Sequence, residues 1–144
     1  MRSLAILTLV LGAILLLPFS VVTASAGVVA KIDLSEQRMR VYVDSDRKYS
    51  WAVSTARRGY RTPTGNFKPT RMYKSYFSRK YHGSPMPHSI FFYGGYAIHG
   101  TDAIKSLGSP VSHGCIRLHP SNAAVLFGLV KSHGAANTRI TITR

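Results

Sequence analysis

Apolar residues recur at every second position along much of this chain, and that period restricts it to strands more strongly than any other feature. Ala30, Ile32 and Leu34 alternate with Lys31 and Asp33, and Met39, Val41 and Val43 alternate with Arg40 and Tyr42. A period of two sends successive side chains to opposite faces, so each run reads as a strand with one buried face. The two runs are predicted to form a hairpin around residues 35–37, and Asp44-Ser45-Asp46 supplies the next turn. Tyr49, Trp51 and Val53 then line one face of a third strand, and Ile140 and Ile142 alternate with Arg139 and Thr141 in a last one.

Between these runs the punctuation changes. Thr62-Pro63-Thr64-Gly65 has Pro at the second and Gly at the fourth position, as a tight turn prefers, and leads into a strand expected over 67–73. No period holds over 74–88, where Gly83, Pro85 and Pro87 interrupt any regular element. A connection of that length in a compact domain is more often functional than idle. Eight of the fifteen aromatic residues cluster here: Tyr73, Tyr76, Phe77, Tyr81, Phe91, Phe92, Tyr93 and Tyr96. About half are expected in the core, and those of the loop as the wall or lid of a cleft. A strand over 90–98, broken by Gly94-Gly95, delivers His99 at its end, and 101–108 reads as a connecting loop. Pro120 suits the first turn of a helix. Ala123, Leu126, Phe127 and Val130 follow at helical spacing, and Gly134 closes the element. The expected fold is mainly β with one substantial helix.

The 144 residues leave room for a single domain behind a leader. Arg2 begins a basic stretch, residues 4–17 are apolar apart from Thr8 and Gly12, and Ala24-Ser25-Ala26 offers a small-residue cleavage site. Residues 1–26 are therefore expected to be a signal peptide, with a mature domain over 27–144 exported to the periplasm or cell wall. An uncleaved membrane anchor is the alternative, opposed by Pro18 and Ser20. A lone cysteine in an exported chain cannot form an internal disulfide. The formal charge of +14, from nineteen Lys and Arg against five acids, implies an anionic partner. Export argues against nucleic acid and favours a wall polymer with free carboxylates.

That single cysteine lies in the segment HGTDAIKSLGSPVSHGCIRLHP, residues 99–120, with His99, His113, His119 and Arg117. Read as a strand over 111–118, it places Ile116 and Leu118 on one face and His113, Cys115 and Arg117 on the other. Cationic or basic neighbours favour the nucleophilic thiolate. His99, sixteen residues upstream, is the candidate base, since a cysteine and its histidine usually meet in space and not in sequence. The run Arg57, Arg58 and Arg61 reads as a solvated loop.

At His99-Gly100 and Ser112-His113-Gly114-Cys115-Ile116-Arg117 the chain resembles the catalytic domain of the L,D-transpeptidases, bacterial enzymes that crosslink peptidoglycan. The family pattern is His followed by Gly or Ser, then Ser/Thr-His-Gly-Cys at about this distance and an Arg shortly after. The opening strands and the Thr-Pro-Thr-Gly turn also have counterparts there. The resemblance implies a compact β-sandwich or barrel-like catalytic fold with the helix after the catalytic strand, and no cofactor or metal. It implies peptidoglycan stem peptides as substrates and carbapenem-type compounds as inhibitors. Cys115 would attack a stem-peptide carbonyl and expel a terminal D-amino acid, and His99 would take the thiol proton and return it to the leaving amine. An acceptor amine would then form a new amide. Gly100 would orient the imidazole through its backbone carbonyl, and the N–H groups of Gly114 and Cys115 would hold the oxyanion. Ser112, His113, Arg117 and Tyr93 are the supporting or substrate-binding candidates. No separate wall-binding module is read in the chain, and its positive charge is expected to serve instead.

Three competing readings bear on the same residues. His99, His113, Cys115 and His119 offer nitrogen and thiolate to zinc, although no Cys-x-x-Cys or His-Glu-x-x-His spacing occurs. A basic wall-binding protein without turnover needs the charge but no base beside the cysteine. An L,D-carboxypeptidase keeps the acyl-enzyme and uses water as acceptor.

Overall fold

The computed structural model describes residues 26–144, so the expected signal peptide lies outside the described residues. Among the described residues nine strands form two sheets, joined by one α-helix. β1 (Val28–Asp33), β2 (Arg38–Val43), β3 (Asp46–Ala52), β4 (Gly65–Phe67) and β9 (Thr138–Thr143) make the first, in the order β3-β2-β1-β9-β4. β5 (Arg71–Tyr73), β6 (Ser89–Tyr93), β7 (Tyr96–Gly100) and β8 (Ile116–Leu118) make the second, in that order. The helix α1 (Pro120–His133) follows β8 directly.

The period-two runs become strands as expected. β1 and β2 pair antiparallel with Ala30 opposite Val41 and Ile32 opposite Met39, and β9 lies parallel to β1 with Ile140 opposite Ala30. Asp33 shapes the first hairpin turn, its Oδ1 accepting from the N–H groups of Ser35 and Glu36 at 2.9 and 3.0 Å. Ile32, Met39, Val41, Ile140 and Ile142 of one sheet share a core with Ile90, Ile98, Ile116 and Leu118 of the other and with Leu126 and Val130 of α1. Each fully buried large aliphatic side chain contributes about 1.5–3 kcal/mol. Pro120 sits at the first helical position, and the N–H of Gly134 closes the helix on the Val130 carbonyl at 2.8 Å.

Two expectations are corrected. The single strand over 67–73 is two short ones in different sheets. β4 pairs with β9 and β5 with β6, and between them lies Pro69, which has no N–H to continue a ladder. The strand over 111–118 is reduced to Ile116–Leu118. Before it, Gly114 adopts φ 134°, so the preceding residues turn out of the ladder.

Candidate active site

β7 and β8 run parallel, with His99 directly opposite Arg117 and Ile98 opposite Ile116. The isoleucines face the core. His99, Arg117 and Cys115, two residues before Arg117, face a cavity of about 400 Å³. Ser112, His113, Tyr96, Thr101 and Asp102 line it as well, and Lys80, Tyr81, Pro85 and Met86 wall its other side. The aperiodic loop over 74–88 is thus part of the cavity, held in place where Gly100 N–H donates to the Pro87 carbonyl at 2.8 Å.

His99 is buried, and its Nδ1 lies 2.7 Å from the Gly100 carbonyl oxygen. A carbonyl only accepts, so Nδ1 carries the proton and Nε2 keeps the lone pair. Burial lowers the pKa of this imidazole to about 4, against the raising effect of the Gly100 carbonyl and with a further lowering by Arg117. Burial also raises the Cys115 thiol above its ordinary value, while the Ala97 backbone and Arg117 oppose the rise. The resting pair is therefore a neutral thiol and a neutral base at pH 7, in contrast to the thiolate that cationic neighbours alone would favour. Gly100 also brings helix and strand together: a Cβ there would lie 3.1 Å from Pro120 Cα and 3.1 Å from Pro87 Cγ.

The turn before the cysteine is bound on every side. Ser112 Oγ accepts from Gly114 N–H at 3.0 Å and donates to the Cys115 carbonyl at 2.7 Å. Of the two N–H groups expected at an oxyanion, that of Gly114 is engaged by Ser112 Oγ, whereas that of Cys115 has no partner among the described residues. The Ser112 backbone is tied to Thr55 and Arg57 at 2.8 and 3.0 Å. Thr55 in turn is gripped by buried Gln37, whose amide donates to Thr55 Oγ1 at 2.6 Å and accepts from Thr55 N–H at 3.0 Å. Gly114 has no alternative residue: a Cβ would stand 2.5 Å from Tyr96 Cε1 and 2.9 Å from the Arg61 carbonyl. The Gly114 carbonyl accepts from buried Thr62 Oγ1 at 2.8 Å. In the sequence Thr62 reads only as a turn residue, and its place at the head of Thr-Pro-Thr-Gly is the one signal of this role.

The remaining candidates divide. The His113 ring stacks on Tyr81 at 4.3 Å and 11° and meets the edge of Tyr60 at 4.7 Å. Its pKa is lowered by desolvation and then by Arg57, Arg117 and Lys80. Tyr93 lines a second depression with Arg61, Pro63, Thr64, Phe67 and Tyr96, and not the cavity that holds the thiol. His119 caps α1, its Nδ1 accepting from Ser121 N–H at 3.2 Å. Among the described residues no three His, Cys, Asp or Glu side chains come close enough to hold a metal ion. Arg40 with Glu36 and Lys48 with Asp46 are the two ion pairs among the described residues, so neither Lys80 nor Arg117 is in one, although Asp102 lines the same cavity.

A buried imidazole and the chain's one thiol, brought to a single cavity by a parallel strand pair, make a site of the cysteine-dependent kind. The family model of the L,D-transpeptidase catalytic domain, YkuD, matches residues 27–142, and the chain belongs to that family. Solved structures with the same fold include an L,D-transpeptidase from Stackebrandtia nassauensis, 26% identical over 84% of this chain and 57% of that one, TM-score 0.72. An L,D-transpeptidase from Mycobacterium smegmatis is 24% identical over 83% and 59%, TM-score 0.71. L,D-transpeptidase 3 from Mycobacterium tuberculosis, solved with a faropenem-derived adduct, is 18% identical over 82% and 60%, TM-score 0.69. The chain spans about three-fifths of the length of these structures. No curated protein matches it.

Proposed function

We propose that this chain is an exported L,D-transpeptidase that acts on peptidoglycan stem peptides through a Cys115 acyl-enzyme. The observation that carries this reading is the orientation of His99. With Nδ1–H committed to the Gly100 carbonyl at 2.7 Å, Nε2 remains as the acceptor for the thiol proton. Sγ bonds to the substrate carbonyl carbon as its proton passes to Nε2, and the carbonyl π electrons move onto oxygen. The Cys115 N–H is the donor for that oxyanion. Collapse of the intermediate breaks the C–N bond, and Nε2–H protonates the departing D-amino acid. An acceptor amine repeats the sequence in reverse, loses its proton to His99 and regenerates the thiol. Arg117 and Lys80, without carboxylate partners among the described residues, suit a substrate that carries free carboxylates.

Export rests on the leader read in residues 1–26, and wall localisation on the charge of +14. Wall binding governed by charge weakens steeply as salt shortens the screening length. β-Lactam inhibition follows from the same nucleophile, and the faropenem-derived adduct of the Mycobacterium tuberculosis relative supports it.

The test is mass spectrometry of muropeptides after incubation with the mature protein, alongside Cys115→Ala. New crosslinks in the wild type alone support transfer. Shortened stems without crosslinks, whatever amine is added, indicate the carboxypeptidase. No change of muropeptides and no imipenem adduct at Cys115 indicate a wall-binding protein without turnover.

A further inference from the structure

We infer that Thr62 is a positioning residue for catalysis, acting through the peptide unit that joins Gly114 to Cys115. This rests on the reading of Cys115 as an acyl-forming nucleophile. An amide is planar, so its C=O and N–H point in fixed opposite directions. Whatever holds the Gly114 carbonyl therefore aims the Cys115 N–H. Thr62 Oγ1 holds that carbonyl at 2.8 Å, fifty-two positions away in sequence and buried. The hydroxyl has its own direction fixed, because its oxygen accepts from Ala56 N–H at 3.1 Å and so turns its proton toward Gly114. Ala56 is in turn bridged to Ser112. The chain Ala56 N–H, Thr62 Oγ1, Gly114 C=O runs in one sense and ends at the Cys115 N–H, and polarisation along such a chain strengthens its last donor.

The need for this device follows from the backbone. Gly114 sits at φ 134°, a conformation open to glycine and with little preference of its own, and its N–H is spent on Ser112 Oγ. The Cys115 N–H, on the nucleophile itself and without a partner among the described residues, is then the donor placed for an oxyanion, and Thr62 fixes its aim from behind. Thr62 does not line the cavity that holds the sulfur.

The test exploits two reactions of the same sulfur. Acylation by imipenem develops a negative oxygen, whereas alkylation by iodoacetamide displaces iodide from saturated carbon and develops none. Thr62→Val is expected to slow imipenem acylation 10- to 100-fold while the iodoacetamide rate stays within about twofold, and Thr62→Ser is expected to restore acylation to within about threefold. Thr62→Ala, which leaves room for water at the Ala56 N–H, is a second variant with the same expected split if valine does not fold. Equal loss of both rates, or unchanged acylation, in whichever of these variants folds overturns the proposal. Cys115→Ala run in parallel separates the two levels: imipenem adduct that survives there overturns the acyl-enzyme reading itself.

Discussion

His99 faces Arg117 directly across the parallel β7–β8 ladder, so this imidazole has a guanidinium for a neighbour and is largely shielded from solvent. Burial first, and Arg117 in addition, lower its pKa from 6.5 to about 4. In the unfolded chain the imidazole takes up a proton near pH 6.5; in the folded protein it does so only near pH 4. Between those values the unfolded state binds more protons, so stability falls as pH falls through that window and is unaffected above it. The full effect is roughly 3 kcal/mol. Urea midpoints from pH 7 to pH 4 are expected to decline in the wild type and to decline less in His99→Gln. Identical slopes would show that His99 is not the group responsible.

A second expectation concerns the thiol. Cys115 is raised above the ordinary 9.0 by burial, so the rate of iodoacetamide alkylation is expected to climb through the alkaline range without a plateau at neutral pH. Arg117→Gln, by removing an opposing charge, moves the profile further upward. A plateau near pH 7 would mean a preformed thiolate and imidazolium pair.

Gly114→Ala is the most damaging single methyl at the site. The new Cβ would press on Tyr96 at 2.5 Å and on the Arg61 carbonyl at 2.9 Å, at φ 134°. Backbone strain of about 1–3 kcal/mol is relieved only by rotating the turn, which moves the Cys115 N–H. Imipenem acylation is expected to fall at least 100-fold. Retention of wild-type acylation by the variant would dissociate the turn from catalysis.

Tyr81 joins the loop over 74–88 to the turn by stacking on His113 at 4.3 Å. Such pairs are worth about 0.5–1.5 kcal/mol, so Tyr81→Ala is expected to quicken amide hydrogen exchange over 78–84. Half-saturating donor concentration should rise up to about tenfold, with kcat little altered. Unchanged exchange would place the loop's anchorage elsewhere, at the Gly100 to Pro87 bond for example.

The strands were legible because their faces differ in polarity: Ile32, Val41 and Ile140 are buried where the alternation places them. Strands that share no continuous pattern were not, since Pro69 leaves no mark on hydropathy yet divides one run between two sheets. His99-Gly100 and Cys115 were recognisable by type and spacing, and the structure brings His99 and Cys115 to one cavity. The turn itself was obscured by its glycine. At Gly114 the chain departs from strand geometry, yet His113, Cys115 and Arg117 still meet at one cavity, as the alternation grouped them. Thr62 and Gln37 went unassigned for a related reason: each acts through a hydrogen bond formed only after distant segments meet, with Gly114 and Thr55 respectively.

Gly100 joins three parts of the molecule at one point. Its carbonyl sets the tautomer of His99, its amide secures the wall of the cavity, and its lack of a Cβ, which would stand 3.1 Å from Pro120 Cα, lets the first turn of α1 seat against it. Proton affinity at Nε2 of His99 is thereby coupled to how closely a helix seats on a sheet. Loosening that seat, even by a substitution at Ala123 that never meets a substrate, would detune the chemistry before it unfolded the protein.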